Sequence, residues 1–256
     1  MLRKVIIYQM GKVASSSLRR ALEPVPGIEV IHAHHLDAGY AAELNARKRA
    51  LGWRTTIDPQ AVRALAASLA NQPELPVITL VREPVSRNLS AYFNNLHLIH
   101  GSKDAWRQLS HEELLDGFLN RYPHDIPVEW FDRELKPSMG VDAYAHAFPR
   151  TGALRLDTPR CRLLLMRHDL AQEQKCKQVE ALLGLNGLVM AQDNLASDKP
   201  YSQVYRDFLT RVRLPTAYLE RMLGSRYARH FYDDAERANL LRHWSATNRN
   251  PEFASD

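Results

Sequence analysis

Three clusters in the sequence combine residue types and spacing that can do chemistry. Gly11-Lys12-Val13-Ala14-Ser15-Ser16-Ser17 follows the β-branched run Val5-Ile6-Ile7 and precedes the helical stretch Leu18-Arg19-Arg20-Ala21-Leu22. A loop between a strand and a helix start presents backbone N–H groups, and the helix dipole adds to them. The segment is therefore a candidate anion site with Lys12 as its point charge. The hydroxyls of Ser15, Ser16 and Ser17 can cap the helix or donate to oxygens of the same anion. The loop departs from a Walker sequence. Ile6 stands where the pattern needs its first glycine, and Val13 replaces the hydroxyl residue that would hold Mg²⁺. Transfer from Mg-ATP is disfavoured.

The second cluster is Arg82-Glu83-Pro84-Val85-Ser86-Arg87-Asn88-Leu89-Ser90, after the apolar run Val77 to Val81. Arg82 closes a strand, and Pro84 starts a helix that carries Ser90 about two turns along. A guanidinium fork with a serine hydroxyl suits one phosphate group. The third cluster is Ile31-His32-Ala33-His34-His35-Leu36-Asp37. In an extended chain His32 and His34 share a face and His35 points away. A neutral imidazole there can take a proton from a hydroxyl. No third metal ligand accompanies the histidines, so a metal site is not expected.

The elements that must hold these clusters are legible in outline. Strands are expected over Arg3–Met10, Ile28–Ile31, Val77–Val81 and Leu163–Met166. Helices are expected over Ala41–Leu51, Pro59–Ala70, Pro84–Leu98, Glu112–Tyr122 and Glu173–Leu183, with Gly184 as a stop. The remainder is helical, broken at Pro200, Pro215 and Gly224. Strands that alternate with helices predict an α/β domain, a central parallel sheet flanked by helices with a helical C-terminal part, spanning residues 1–256. Ligands of such sheets sit beyond the carboxyl ends of the strands, here after Met10, Ile31, Val81 and Met166.

Composition narrows the class. The chain has 256 residues, 45% hydrophobic and 25% charged, with a net charge of +5, which excludes a disordered or fibrous protein. A chain of this length buries roughly 70–75% of its unfolded surface and needs no disulfide or metal to hold a core. Cys161 and Cys176 are too few for a disulfide framework and too far apart in sequence for a zinc site. No apolar run reaches the ~20 residues of a membrane span, and Val5 to Tyr8 is too short for a signal-peptide core. A cytoplasmic location is expected. The pI of about 9.2 is compatible with an anionic ligand but does not call for nucleic acid.

Together the first two clusters resemble the PAPS-dependent sulfotransferases. In that family the loop after the first strand holds the 5′-phosphosulfate, and an R-[DE]-P-x-x-R-x-x-S pattern holds the 3′-phosphate. Arg82 to Ser90 matches that pattern at each defined position. The H-x-H string looks like that of the uronosyl 2-O-sulfotransferases, whose second histidine is the base, which carries over to His34 with His32 as helper or second candidate. Pro127-Val128-Glu129-Trp130-Phe131-Asp132-Arg133-Glu134-Leu135 and Gly140-Val141-Asp142 look like a bacterial branch of the superfamily labelled capsular polysaccharide synthesis proteins. The resemblance implies a P-loop-like sulfotransferase fold with PAPS as co-substrate, the 3′,5′-bisphosphate PAP as product and no metal. The implied acceptor is a hydroxyl, on a carbohydrate or polysaccharide. It gives Gly11 to Ser17, Arg82 and Ser90 to the nucleotide, Lys12 also to catalysis, and, by position, Lys199 and Ser202 within the segment Asn194 to Tyr205.

Two other readings stand beside this one. One is a metal-dependent nucleotide or sugar kinase; the other is a catalytically silent protein that binds PAPS or the bisphosphate. Trp130-Phe131 reads as core or as an aromatic contact for acceptor or adenine, and Arg167-His168-Asp169 as a strand end that orients the next helix. Arg206, Arg211 and Arg213 can form a solvated basic face or meet an acidic glycan.

Overall fold

The computed structural model describes residues 3–190 and 199–245. Five strands among them form one sheet: β1 (Arg3–Tyr8), β2 (Ile28–Ala33), β3 (Leu75–Val81), β4 (Ala153–Asp157) and β5 (Cys161–Arg167), in the order β2-β1-β3-β5-β4. β1, β2, β3 and β5 run parallel, with Ile6 beside Ile31 and Val77, and Val77 beside Leu163. β3 is buried along its whole length, which explains its unbroken apolar sequence; a strand covered on both faces has no polar side to alternate with.

β4 is the strand that the sequence outline lacks. It pairs antiparallel with β5 at the sheet edge. Ala-Leu-Arg-Leu-Asp is short and carries charge on its exposed positions, where Arg155 pairs with Asp157 at 3.0 Å. Such charges blunt an edge against further pairing and also weaken its apolar signature. The fold class is as expected, α/β around a mainly parallel sheet.

The helices follow from local chemistry. α1 (Ser15–Leu22), α2 (Ala38–Ala50), α3 (Pro59–Leu69) and α4 (Pro84–Asn94) separate the early strands. The two prolines occupy first-turn positions, where a missing N–H costs nothing. Asp58 caps α3 through the Gln60 N–H, and Glu83 caps α4 through the N–H groups of Val85 and Ser86 at 2.8 and 2.6 Å. The acidic residue of the Arg-Glu-Pro segment is therefore a helix cap.

The described chain divides into two compact units. Residues 3–42, 57–82 and 129–190 form the first, which contains the sheet; residues 43–56, 83–128 and 199–245 form the second. The second is helical around a buried aromatic cluster that includes Trp53, Tyr92, Phe93, Phe118, Tyr122 and Phe208. Within it, His124 donates from Nε2 to the Phe118 carbonyl at 2.8 Å and lies against the rings of Phe118, Tyr122 and Tyr218.

In the first unit the strand order reverses between β1, which has β2 on its outer side, and β3, which leads to β5. Such a switch point opens a crevice at the carboxyl ends of the strands, because the connections leave in opposite directions. The loop after β1 and Arg82 after β3 both stand there.

Burial pushes His124 down to about 4. The folded protein therefore resists protonating a group that the unfolded chain protonates near ~6.5, so its contribution is intact above that pH and is lost as pH falls toward 4. Urea unfolding at pH 7 and pH 4.5 should show His124→Gln losing about 2 kcal/mol less stability than the wild type over that interval. Equal losses in the two proteins would contradict this.

Candidate functional site

The loop after β1 is held in an uncommon backbone conformation. Gly11, Lys12 and Ala14 all lie in the left-handed region, with φ of 82°, 62° and 60°. Glycine adopts this freely, whereas Lys12 and Ala14 do so at roughly 1–2 kcal/mol each. Consecutive residues that switch hand in this way turn their N–H groups toward a common centre, the arrangement that cradles anions. The expected serine cap is not formed. Ala14 is the N-cap of α1 and makes no side-chain capping bond, and Ser15 is already the first helical residue. An alanine has no oxygen to offer the helix start, so the first-turn N–H groups are not satisfied by a cap. Ser15 is buried, Ser16 exposed, and Ser17 donates to the Ala14 carbonyl at 3.3 Å.

Gln9, just beyond β1 and 1% exposed, ties this loop to the histidines. Its Oε1 accepts the Gly11 N–H in a very short bond, which fixes the orientation of the amide. Its Nε2 then faces Ser15 Oγ at 2.9 Å and His32 Nε2 at 3.0 Å. Ser15 Oγ and His32 Nε2 are themselves 3.0 Å apart. His32 Nε2 is accordingly an acceptor and the ring proton sits on Nδ1. Burial, and then the charge of Arg19, lower the His32 pKa, so the ring is neutral at pH 7.

His34 is held in the same tautomer by a different group. Its Nδ1 lies 2.9 Å from the Gln9 carbonyl, which can only accept, so Nδ1 carries a proton and in the neutral ring the lone pair belongs to Nε2. The His32 and His34 rings stand edge to face with centroids 5.0 Å apart, as alternation on an extended chain requires. His35 turns the other way, its Nδ1 3.3 Å from the buried carboxylate of Glu134. Trp130 and Phe131 are fully buried core residues. Gln9 was missed in sequence because a lone glutamine after a strand has no motif around it.

Positive charge accumulates where β3 and β5 end. Arg82 is only 8% exposed. The N–H of His168 donates to the Val81 carbonyl at 2.8 Å, and Lys175 Nζ donates to the His168 carbonyl. Burial, followed by the Arg82 guanidinium, drives His168 down to about 3, and its Nδ1 is buried without a hydrogen-bond partner. Arg167 grips Asp169 through both branches of its fork, at 2.9 and 2.5 Å. A buried arginine and a buried lysine thus stand beside a histidine that burial keeps neutral.

The sheet unit thus brings together Gly11 to Ser17, His32, His34 and Arg82. Ser90, Lys199 and Ser202 belong to the helical unit. There Ser90 is half-buried on α4, Lys199 is exposed, and Ser202 opens the helix Ser202–Arg211 with its N–H on the Lys199 carbonyl at 2.9 Å. Asn194 lies outside the described residues.

Residues 113–233 match a family model described as "Putative capsular polysaccharide synthesis protein" (NKWYS). The match takes in Trp130, Glu134 and His168 and begins after the loop, the paired histidines and Arg82. No curated protein and no solved structure matches the chain. Among the described residues, no helix is long and apolar enough to cross a membrane.

Gln9→Met keeps the shape of the side chain and removes both its acceptor and its donor. Urea unfolding should show a loss of roughly 1–3 kcal/mol, the usual effect of removing one side of a buried polar network. In ¹⁵N spectra the His32 ring should leave its single tautomer, while His34, bonded to the main-chain carbonyl, should keep its own. An unaltered His32 signal in a folded variant would show that the amide does not set that ring.

Proposed function

We propose that the protein is a sulfotransferase that moves a sulfuryl group from PAPS to a hydroxyl of a carbohydrate acceptor, with His34 as general base. The observation that carries this reading is the Gln9 junction. It joins a loop built for an anion to a histidine whose proton is fixed on Nδ1 and whose lone pair is on Nε2. The polysaccharide-synthesis description of the family matched by residues 113–233 supports a carbohydrate acceptor. The buried thiols Cys161 and Cys176, neither in a disulfide, suit a reducing cytoplasm.

The reaction is an in-line displacement. An acceptor oxygen forms a bond to sulfur as the bond from sulfur to the 5′-phosphate oxygen breaks, and the electron pair of that bond leaves with the 3′,5′-bisphosphate. His34 Nε2 takes the proton that the acceptor hydroxyl gives up. Lys12 offsets charge growing on the departing oxygen, and the loop N–H groups up to Ser15 hold the 5′ end. His32, already engaged with Gln9 and Ser15, orients that serine. Arg82 takes the 3′-phosphate, beside the neutral His168. Ser90, Lys199 and Ser202 are given to the nucleotide by the sequence resemblance alone.

Calorimetry tests the nucleotide half of this reading. A 3′,5′-bisphosphate of adenosine should bind far more tightly than 5′-AMP. Arg82→Ala should weaken the bisphosphate at least tenfold, as expected for a charge-assisted bond of roughly 1.5–3 kcal/mol. Equal affinity for the two nucleotides, or an unchanged affinity in the variant, would contradict the assignment.

A further inference from the structure

The segment Glu129 to Leu135 is more than core, because its polar atoms converge on the turn that follows the histidines. Trp130 Nε1 donates to the His34 carbonyl at 3.3 Å. Glu134, entirely buried, accepts the Leu36 N–H in a very short bond and the Asp37 N–H at 2.8 Å, both on Oε1. The same oxygen accepts the Tyr8 hydroxyl at 2.5 Å, and Oε2 faces His35 Nδ1 at 3.3 Å. One turn earlier, Glu129 accepts the Tyr40 hydroxyl at 2.9 Å, with the Arg133 guanidinium over the Tyr40 ring.

Local geometry sets up this convergence. Phe131–Leu135 is a π-helical turn, wider than an α-turn, and such turns are costly enough to mark places where side chains must be re-aimed. Trp130 and Glu134, four residues apart, reach the same stretch of chain on either side of His35. A buried carboxylate is stable only when donors surround it, and here two main-chain N–H groups, a hydroxyl and an imidazole do so. The dependence is mutual. An apolar residue at 134 would leave those donors buried without an acceptor and the turn without its anchor.

We infer that Trp130 and Glu134 are positioning residues for His34: they hold the chain at the His34 carbonyl and just beyond it, and so keep the imidazole against the Gln9 carbonyl. The effect on turnover rests on the base role proposed for His34, whereas the effect on the ring does not. A reacting group displaced by about 1 Å can lose on the order of 10²-fold in rate, so a clamp of this kind acts on kcat rather than on nucleotide binding.

Histidine ¹⁵N spectra and sulfuryl-transfer kinetics of Glu134→Ala, Glu134→Gln and Trp130→Phe test the clamp. Glu134→Gln keeps the oxygen that accepts Leu36, Asp37 and Tyr8, and should keep the Nδ1-protonated signal of His34 and most of the turnover. Trp130→Phe and Glu134→Ala should give mixed His34 tautomers and a kcat at least tenfold lower, with bisphosphate affinity within about twofold of wild type. Should Glu134→Ala fail to fold, Trp130→Phe, which retains an aromatic ring in the core, decides the matter. A folded Trp130→Phe or Glu134→Ala with wild-type His34 signals would overturn the inference, as would a Gln that restores nothing that Ala loses. Wild-type protein with no sulfuryl transfer would remove the proposed activity, while the spectra would still judge the clamp.

Discussion

Much of the site depends on one requirement, that the Gly11 N–H find an acceptor where β1 gives way to the loop. Gln9 Oε1 supplies it, and an amide so oriented has its NH₂ group on the opposite side. That side holds Ser15 and His32. The main-chain carbonyl of the same residue fixes His34. One residue thereby sets the entrance of the loop, the serine at the start of α1, and the tautomers of two imidazoles. Because Gln9 is buried, water does not compete for these bonds, and each is stronger for it.

Beyond that point the sheet divides the labour. The carboxyl ends of β1 and β2 bring a strained loop and a pair of histidines, while those of β3 and β5 bring buried cations. The strain at Lys12 and Ala14 costs roughly 1–2 kcal/mol at each residue, which the surrounding fold offsets. His168 is neutral beside Arg82 and Lys175. Burial first, and then the Arg82 guanidinium, make a further positive charge there costly, and the ring stays unprotonated. The order β2-β1-β3-β5 places these features around the switch point between β1 and β3, where such a sheet is open.

Most of this scaffold was legible in the sequence. The four parallel strands and the helices after Pro59, after Pro84 and before Gly184 are where periodicity and punctuation put them. The opposed faces of His34 and His35 follow from alternation alone. What stayed hidden has physical reasons. β4 is a short edge strand with charge on its exposed positions, so it lacks an apolar signature although its partner β5 follows it directly in the chain. Two of the three αL residues of the loop are a lysine and an alanine, which nothing in sequence marks for positive φ. Ala14 holds the N-cap position, beside three serines any one of which could have capped the helix. Gln9 and Glu134 act through partners up to 126 residues distant, and long-range hydrogen bonds leave no local pattern. The resemblance to sulfotransferases rests on local motifs and therefore names a chemistry without naming the groups that orient it.

The central claim is that His34, with its proton on Nδ1, accepts the proton of an acceptor hydroxyl as sulfuryl transfer proceeds. Transfer of radiolabelled sulfate from PAPS to a panel of glycan hydroxyls tests it most directly, with wild type, His34→Ala and His32→Ala assayed with and without EDTA. Transfer by the wild type should be unchanged by EDTA, and His34→Ala should lose about 10²- to 10⁴-fold with bisphosphate binding intact. Full activity in His34→Ala, abolition by EDTA, or bisphosphate binding without transfer to any acceptor would contradict it.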